Sequence, residues 1–413
     1  MARLYDLAIV GGGAAGLFSA VRAAQTGLST VLIEKNARVG KKLLATGNGT
    51  CNISNTAASP MHYHGVGADA FVRPAFAYFP VQAALDAFAS MGVECVTRPD
   101  GRVYPLCEQA AAVLDCLRLS AAAAGVDTLC DAPVTSIRRE GNAFYLLAGE
   151  QSLKARRVIV AAGGAASPSL GGCNDGYALL TAVGHTRTPL FPSIVQVRTD
   201  MQYLRAVKGI RVDARVAFCL DGREVATETG EVLFTEYGLS GPAVMYISRA
   251  VADWERRKQG KMTALLDLMP QYTVQQVKTL LEKRVVLPGR TMEDFFTGLL
   301  NKRVGQTLVR VCGFALGQSA DTVRVTDIVR LTNTVKAFTV TVEGTNGFGG
   351  AQVTAGGIAL SEVDAHTMQS KKMRGVYAVG ELLDVDGDCG GYNLQWAWSS
   401  AALAVKAVAE ELL

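Results

Sequence analysis

Residues 6–34 read DLAIVGGGAAGLFSAVRAAQTGLSTVLIE, and they constrain the fold more than any other stretch. The apolar run Leu7–Val10 leads into Gly11-x-Gly13-x-x-Gly16. A helical pattern follows to about Thr26, then a second apolar run, Thr30–Ile33, ends on Glu34. Each position has a mechanical reason. Gly11 permits a tight turn, Gly13 lets a pyrophosphate approach the backbone, and Gly16 allows a helix to pack closely on a strand. The helix N-terminus then offers N–H groups and a positive dipole to phosphate. Glu34 stands where a carboxylate accepts from ribose hydroxyls, which disfavours a 2′-phosphate and points to FAD or NAD rather than NADP.

The chain has 413 residues, enough for two or three domains with ample core. Its 41 basic and 37 acidic residues nearly balance, and no basic run carries interleaved aromatics, so no nucleic-acid partner is expected. The most apolar long segment, Leu394–Leu413, contains Ser399, Ser400, Lys406, Glu410 and Glu411 and reads as a buried amphipathic helix, not a membrane span. A cytoplasmic location is expected, because the first strand starts within a few residues of Met1. The nine cysteines are scattered with no CxxC pair, which reads as reduced thiols; Cys51 alone sits in a Gly/Asn-rich loop. His62 and His64 share a strand face by alternation, but no metal site is expected.

Along the chain, strands and helices alternate up to about residue 190. Helical patterns cover Val72–Phe79, Val81–Met91, Gln109–Ala124 and Asn174–Val183. Ala132–Arg139, Ala143–Leu147 and Arg157–Val160 read as strands, with a hairpin at Gly141-Asn142. From Val195 the pattern changes to short alternating strands such as Val212–Leu220 and Glu224–Thr227. Leu265–Pro270 reads as a strand, Val274–Lys283, Met292–Leu300 and Lys302–Val311 as helices, and Asp327–Leu331 and Ala337–Val342 as strands. After Gly349 the first architecture resumes, with a strand at Gly375–Val379 and a long C-terminal helix.

Three further glycine-rich segments belong with the first. In Gly40–Asn55, GKKLLATGNGTCNISN, the residues Gly47, Asn48, Gly49 and Asn52 offer hydrogen bonds to a planar ligand, and Lys41 and Lys42 offer charge to a diphosphate. Arg157–Gly164, RVIVAAGG, is a strand ending in small residues where the backbone itself touches a cofactor, near Gly163. In Gly375–Ser400 a strand ends at Gly380-Glu381 and a helix starts near Asn393, which resembles two-dinucleotide-fold flavoproteins, where a helix N-terminus at this position points at the flavin pyrimidine. Of Asp384, Asp386 and Asp388, one carboxylate is expected to be functional; Trp396 and Trp398 read as helix packing. Segments this far apart converge on one elongated ligand, and FAD has that length.

These motifs, with VLFTEYGLSGPAVMYIS (Val232–Ser248) and GELLDVDGDCGGYNLQWAWSSA (Gly380–Ala401), resemble the BaiN/YhiN-like flavoprotein family, also called aminoacetone-oxidase-family FAD-binding enzymes. The resemblance spans essentially the whole chain. It implies a bacterial α/β protein: a Rossmann-type, two-dinucleotide-fold-like FAD domain (1–190 and 346–413) interrupted by an inserted β-barrel-like domain (191–270 and 320–345) and a small helical domain (271–319). It implies non-covalent FAD held at Gly11, Gly13, Ala14, Ala15, Glu34, Lys35, Lys42, Cys51, Asn52, Val134, Ala162, Gly163, Gly380, Glu381, Asn393 and Leu394. Gly16, Asn48, Asp384 and Tyr392 complete the expected cofactor set. Many members of that family carry Gly-Gly-Gly-Arg before the loop cysteine; this chain has Gly47-Asn48-Gly49-Thr50, and if that arginine touches substrate or flavin its specificity is expected to differ.

The expected function is that of an FAD-dependent oxidoreductase acting on a small molecule. Hydride passes from NAD(P)H, a transient donor, to an activated C=C bond of an enone, steroid or bile-acid-like. The alternatives are an FAD-dependent oxidase of small amines and a non-catalytic or RNA-associated flavoprotein. Enone reduction needs a proton donor, for which Tyr237, His185 and Tyr392 are candidates.

Overall fold

The computed structural model describes residues 3–413. Their contacts divide them into two compact units, one running to Phe191 and resuming at Gln352–Leu413, the other Pro192–Ala351.

The first unit is built on a seven-stranded sheet. Its strands are β1 (Leu4–Val10), β2 (Thr30–Ile33), β3 (Asp127–Leu129), β4 (Val134–Glu140), β5 (Ala143–Ala148), β6 (Gln151–Val160) and β7 (Val376–Ala378). The order is β3-β2-β1-β6-β5-β4, with β7 also paired to β6. β1, β2, β3, β6 and β7 run parallel, while β4, β5 and the first half of β6 form an antiparallel meander turning at Gly141-Asn142. Parallel strands are buried on both faces and so lose polar alternation. Leu7, Ala8, Ile9, Leu32, Val158, Ile159 and Val160 accordingly have no exposed surface.

The register sets the site. Val10 pairs with both Ile33 and Val160, and Val160 with Ala378, so four parallel strands end on one line. The chain leaves β1 through helix α1 (Ala14–Gln25) to reach β2 on one side, while β6 flanks β1 on the other. Strand order therefore reverses between β1 and β6, the place where open α/β sheets hold ligands beyond their carboxyl ends.

The second unit contains a closed barrel of six strands, Val197–Thr199, Gly238–Ser240, Arg223–Phe234, Arg211–Leu220, Met262–Asp267 and Phe338–Thr345 in order around it. Helices Pro242–Arg257, Val274–Val285, Lys302–Val311 and Val325–Lys336 lie in the same unit. Two segments depart from the sequence reading. Asp327–Leu331, expected as a strand, is the core of helix Val325–Lys336. Ile328, Leu331, Thr332 and Val335 are buried at helical spacing, and the Asp327 carboxylate accepts the Arg324 N–H at 3.0 Å. Met292–Leu300, expected as a helix, is a series of turns. Buried Met292, Phe295 and Phe296 imitate a helical period, but the N–H groups of Met292 and Glu293 donate to the carbonyls of Gln318 and Leu316, both at 2.8 Å. Gly298 at φ +84 then turns the chain.

Candidate cofactor site

The turn after β1 has the geometry its glycines predict. Gly11 lies at φ +105, and a Cβ there would stand 2.6 Å from the Ala161 carbonyl oxygen. A Cβ on Gly16 would stand 1.8 Å from the Gly11 carbonyl oxygen, so no larger residue fits between helix and strand. A Cβ on Gly13 would meet nothing within 4 Å. Gly13 is also the N-cap of α1, Ala14 and Ala15 form its first turn, and no side chain caps it. An open face and an uncapped helix N-terminus are what an anion needs.

Glu34, which follows β2, is only 7% exposed. One carboxylate oxygen accepts the Gly12 N–H at 2.7 Å; the other accepts the Asn36 N–H at 2.8 Å and the Asn36 side-chain amide. Three of roughly four acceptor positions are thus filled, which fixes the carboxylate and leaves one for an outside donor. Beside it, the Glu34 carbonyl accepts from Ala132, two residues before Val134 opens β4. Lys35 is turned aside into an ion pair with Asp175 at 3.0 Å.

Lys42 and Glu381, 339 residues apart in sequence, meet at 2.8 Å. The Glu381 carboxylate also accepts the Thr354 N–H at 2.9 Å, and a Cβ on Gly164 would touch it at 2.6 Å. The loops after β2, β6 and β7 are thereby tied together around Ala162 and Gly163. Between Lys42 and Cys51 the chain winds through tight turns, with Asn48 exposed at φ 54. Cys51 has no exposed surface, and burial pushes its thiol up to about 11, so it stays protonated and inert. Asn52 Oδ1 is buried without a hydrogen-bond partner. It would lie 2.8 Å from a Cβ on Gly391, the N-cap of the C-terminal helix Tyr392–Leu412.

That helix is locked to the sheet edge by its own side chains. The Trp396 indole donates to the Gly380 carbonyl at 3.1 Å, and Ser400 Oγ accepts the Gly380 N–H at 3.0 Å. The Asn393 amide brackets Gly387, donating to its carbonyl and accepting its N–H, both at 2.8 Å. Trp398 donates to the Ile53 carbonyl at 2.9 Å and packs on Phe18 and Phe88, while buried Trp396 packs on Tyr63 and Phe71, so both indoles are packed in the core. Asp384 is buried beside Gly65, and Leu394 is half-buried in the first turn. The helix, like α1, begins without a side-chain cap.

Of the residues expected around FAD, Gly11, Gly13, Glu34, Ala162, Gly163, Gly380 and Glu381 follow the aligned ends of β1, β2, β6 and β7. An open glycine face, two uncapped helix N-termini and an orphaned Asn52 oxygen fit a long ligand with an anionic middle and a polar ring. The three proposed proton donors have different settings. His185 is buried, with Nε2 2.6 Å from Ser370 Oγ; Ser370 in turn donates its N–H to Val376 at the start of β7, the end remote from the cluster. Tyr237 lies in the second unit, in the turn between two barrel strands. Tyr392 opens the C-terminal helix and stacks on His62 with ring centroids 4.7 Å apart. Sequence reading did not single out Thr354 or the pairing of His64 with Asp388, whose atoms approach to 2.7 Å. The His-x-His spacing was visible, but its partner lies 324 residues away. Among the described residues no group of three or more side chains is placed to hold a metal ion, and no helix is long and apolar enough to cross a membrane.

The profile of the HI0933-like protein Rossmann domain matches residues 5–407. A 3-dehydro-bile acid delta(4,6)-reductase of Clostridium scindens is 37% identical, the match covering 98% of this chain and 99% of the relative. A ribosomal RNA dihydrouridine synthase of Escherichia coli is 29% identical over 96% of each chain. Among solved structures, the 3-ketosteroid delta1-dehydrogenase of Sterolibacterium denitrificans matches 99% of this chain and 100% of its own, with a TM-score of 0.50 at 14% identity, a likeness of fold.

Proposed function

This chain belongs to the HI0933-like Rossmann-domain family and is an FAD-dependent oxidoreductase, and from that premise we propose that it reduces a C=C bond conjugated to a carbonyl, with NAD(P)H as electron donor and a steroid-type enone as substrate. The observation that carries this reading is the 37% identity, end to end, to a relative named for reducing the 4,6-unsaturation of a 3-dehydro-bile acid. The relative named for dihydrouridine synthesis fits the same chemistry, because uridine's 5,6-double bond is also conjugated to a carbonyl.

Bound FAD supplies hydride transfer. The protein supplies placement and charge. Gly13 and the N-terminus of α1 would receive the pyrophosphate, and Glu34 would take a ribose hydroxyl through its remaining acceptor position. Asn52 and the first turn of the C-terminal helix receive the polar edge of the ring. The dipole of that 21-residue helix favours negative charge there. The Lys42–Glu381 pair joins the loops after β2 and β7, which would flank the bound cofactor. Across turnover, NAD(P)H and a proton are consumed, NAD(P)⁺ is released, and the C=C bond gains two hydrogens.

Anaerobic stopped-flow spectroscopy tests this. NADH or NADPH bleaches the enzyme's flavin, and a 3-oxo-Δ4 steroid acid restores the colour. If neither nicotinamide bleaches it, the donor is wrong; if the bleached enzyme persists with the steroid, the substrate class is wrong. A second reading, uridine in ribosomal RNA as substrate, is favoured by the E. coli relative. It predicts dihydrouridine in rRNA treated with the reduced enzyme.

A further inference from the structure

Saturating a conjugated C=C bond takes a hydride at the β-carbon and a proton at the α-carbon, so on the reading above the site needs an acid. Several groups near the sheet edge are held from that role. Burial pushes the Cys51 and Cys389 thiols up to about 11, which makes each a weaker acid than an ordinary thiol. The Tyr63 hydroxyl is buried and already donates to the Tyr392 carbonyl at 2.8 Å. Tyr177 is 1% exposed, and burial raises its hydroxyl far above the ordinary range.

His64 is placed differently. The short antiparallel pair of Tyr63–His64 with Asp386–Gly387 sets it opposite Asp386. Its Nε2 lies 2.7 Å from the Asp388 carboxylate, while its side chain stays 38% exposed. The Asp388 carbonyl accepts the Asn393 amide at 3.2 Å, which ties the pair by one hydrogen bond to the first turn of the C-terminal helix. Met61 and Val66, three positions before it and two after it in the sequence, are 78% and 81% exposed.

We propose that His64, oriented by Asp388, is the proton donor of the reduction. Hydride addition at the β-carbon reduces the C=C bond, oxidises the nicotinamide donor overall, and leaves an enolate. The N–H bond at His64 Nδ1 breaks as a C–H bond forms at the α-carbon. Neutral His64 keeps its Nε2–H on Asp388, and water returns the lost proton. Asp384, Asp386, Asp388, His62, Tyr392 and Arg102 lie on the adjoining segments. Of these, the Asp388 carboxylate reaches His64 Nε2, at 2.7 Å.

The test uses holoenzyme reduced with dithionite, so that no nicotinamide is involved, mixed with a 3-oxo-Δ4 steroid acid over a pH series. Wild-type reoxidation slows as pH rises and His64 loses its proton. In His64→Gln it is about 10²-fold slower, and that limb of the profile is gone. In Asp388→Ala reoxidation slows as well, and nitrogen-15 NMR of the side chain shows neutral His64 no longer held with its proton on Nε2. A His64→Gln enzyme with the wild-type rate and profile overturns the proposal alone, as does an Asp388→Ala protein with the wild-type rate and an unchanged His64 tautomer. Wild type that the steroid cannot reoxidise instead overturns the enone reading on which the proposal stands.

Discussion

A methyl group on Gly13 would touch no protein atom within 4 Å, whereas one on Gly16 would collide with backbone at 1.8 Å. The two glycines therefore separate ligand from fold. Gly13→Val is expected to fold with a wild-type circular dichroism spectrum yet carry no flavin. A yellow, fully loaded variant contradicts the assignment. Glu34→Ala is expected to weaken FAD binding by roughly 1.5–3 kcal/mol, the size of a charge-assisted hydrogen bond, measured by titration calorimetry. Unchanged affinity means that another group holds the ribose. The sequence made Glu34 visible through the strand that precedes it. It did not show that Gly12 and Asn36 already occupy the carboxylate, because those bonds depend on how the turn folds back.

At the scale of elements, β1, α1 and β2 were legible because each has one dominant period and glycines punctuate the joins. Thr30–Ile33 agrees with its sequence reading residue for residue. Misreadings arose where a local pattern was shared by two structures. Ile328-Val329 looks like a strand until Leu331 and Val335 extend it into a helical stripe. Met292, Phe295 and Phe296 look helical until a partner at 316–318 takes the backbone N–H groups. The C-terminal helix was legible, but its fastening to residues 53 and 380 through two indole N–H groups was not. Trp398, with no exposed surface and two aromatic neighbours, carries the packing of that fastening. Trp398→Ala is expected to cost about 3–5 kcal/mol in urea unfolding. A loss under 1 kcal/mol would show that the helix is held elsewhere.

The molecule assembles its ligand edge from segments that are remote in sequence. Residues 11–16, 34–52, 161–164 and 380–394 follow strands whose ends align in one register. The unit they form is interrupted by residues 192–351, which fold as a barrel with helices. Glycine spacing revealed the convergence; the register that produces it came only from strand pairing, which single-strand patterns do not encode. The central claim is that these segments together hold one FAD. Quantifying flavin and protein in the purified chain, before and after incubation with FAD, tests it most directly. The account predicts a yellow protein that reaches one FAD per chain; a colourless protein that stays colourless after incubation would contradict it.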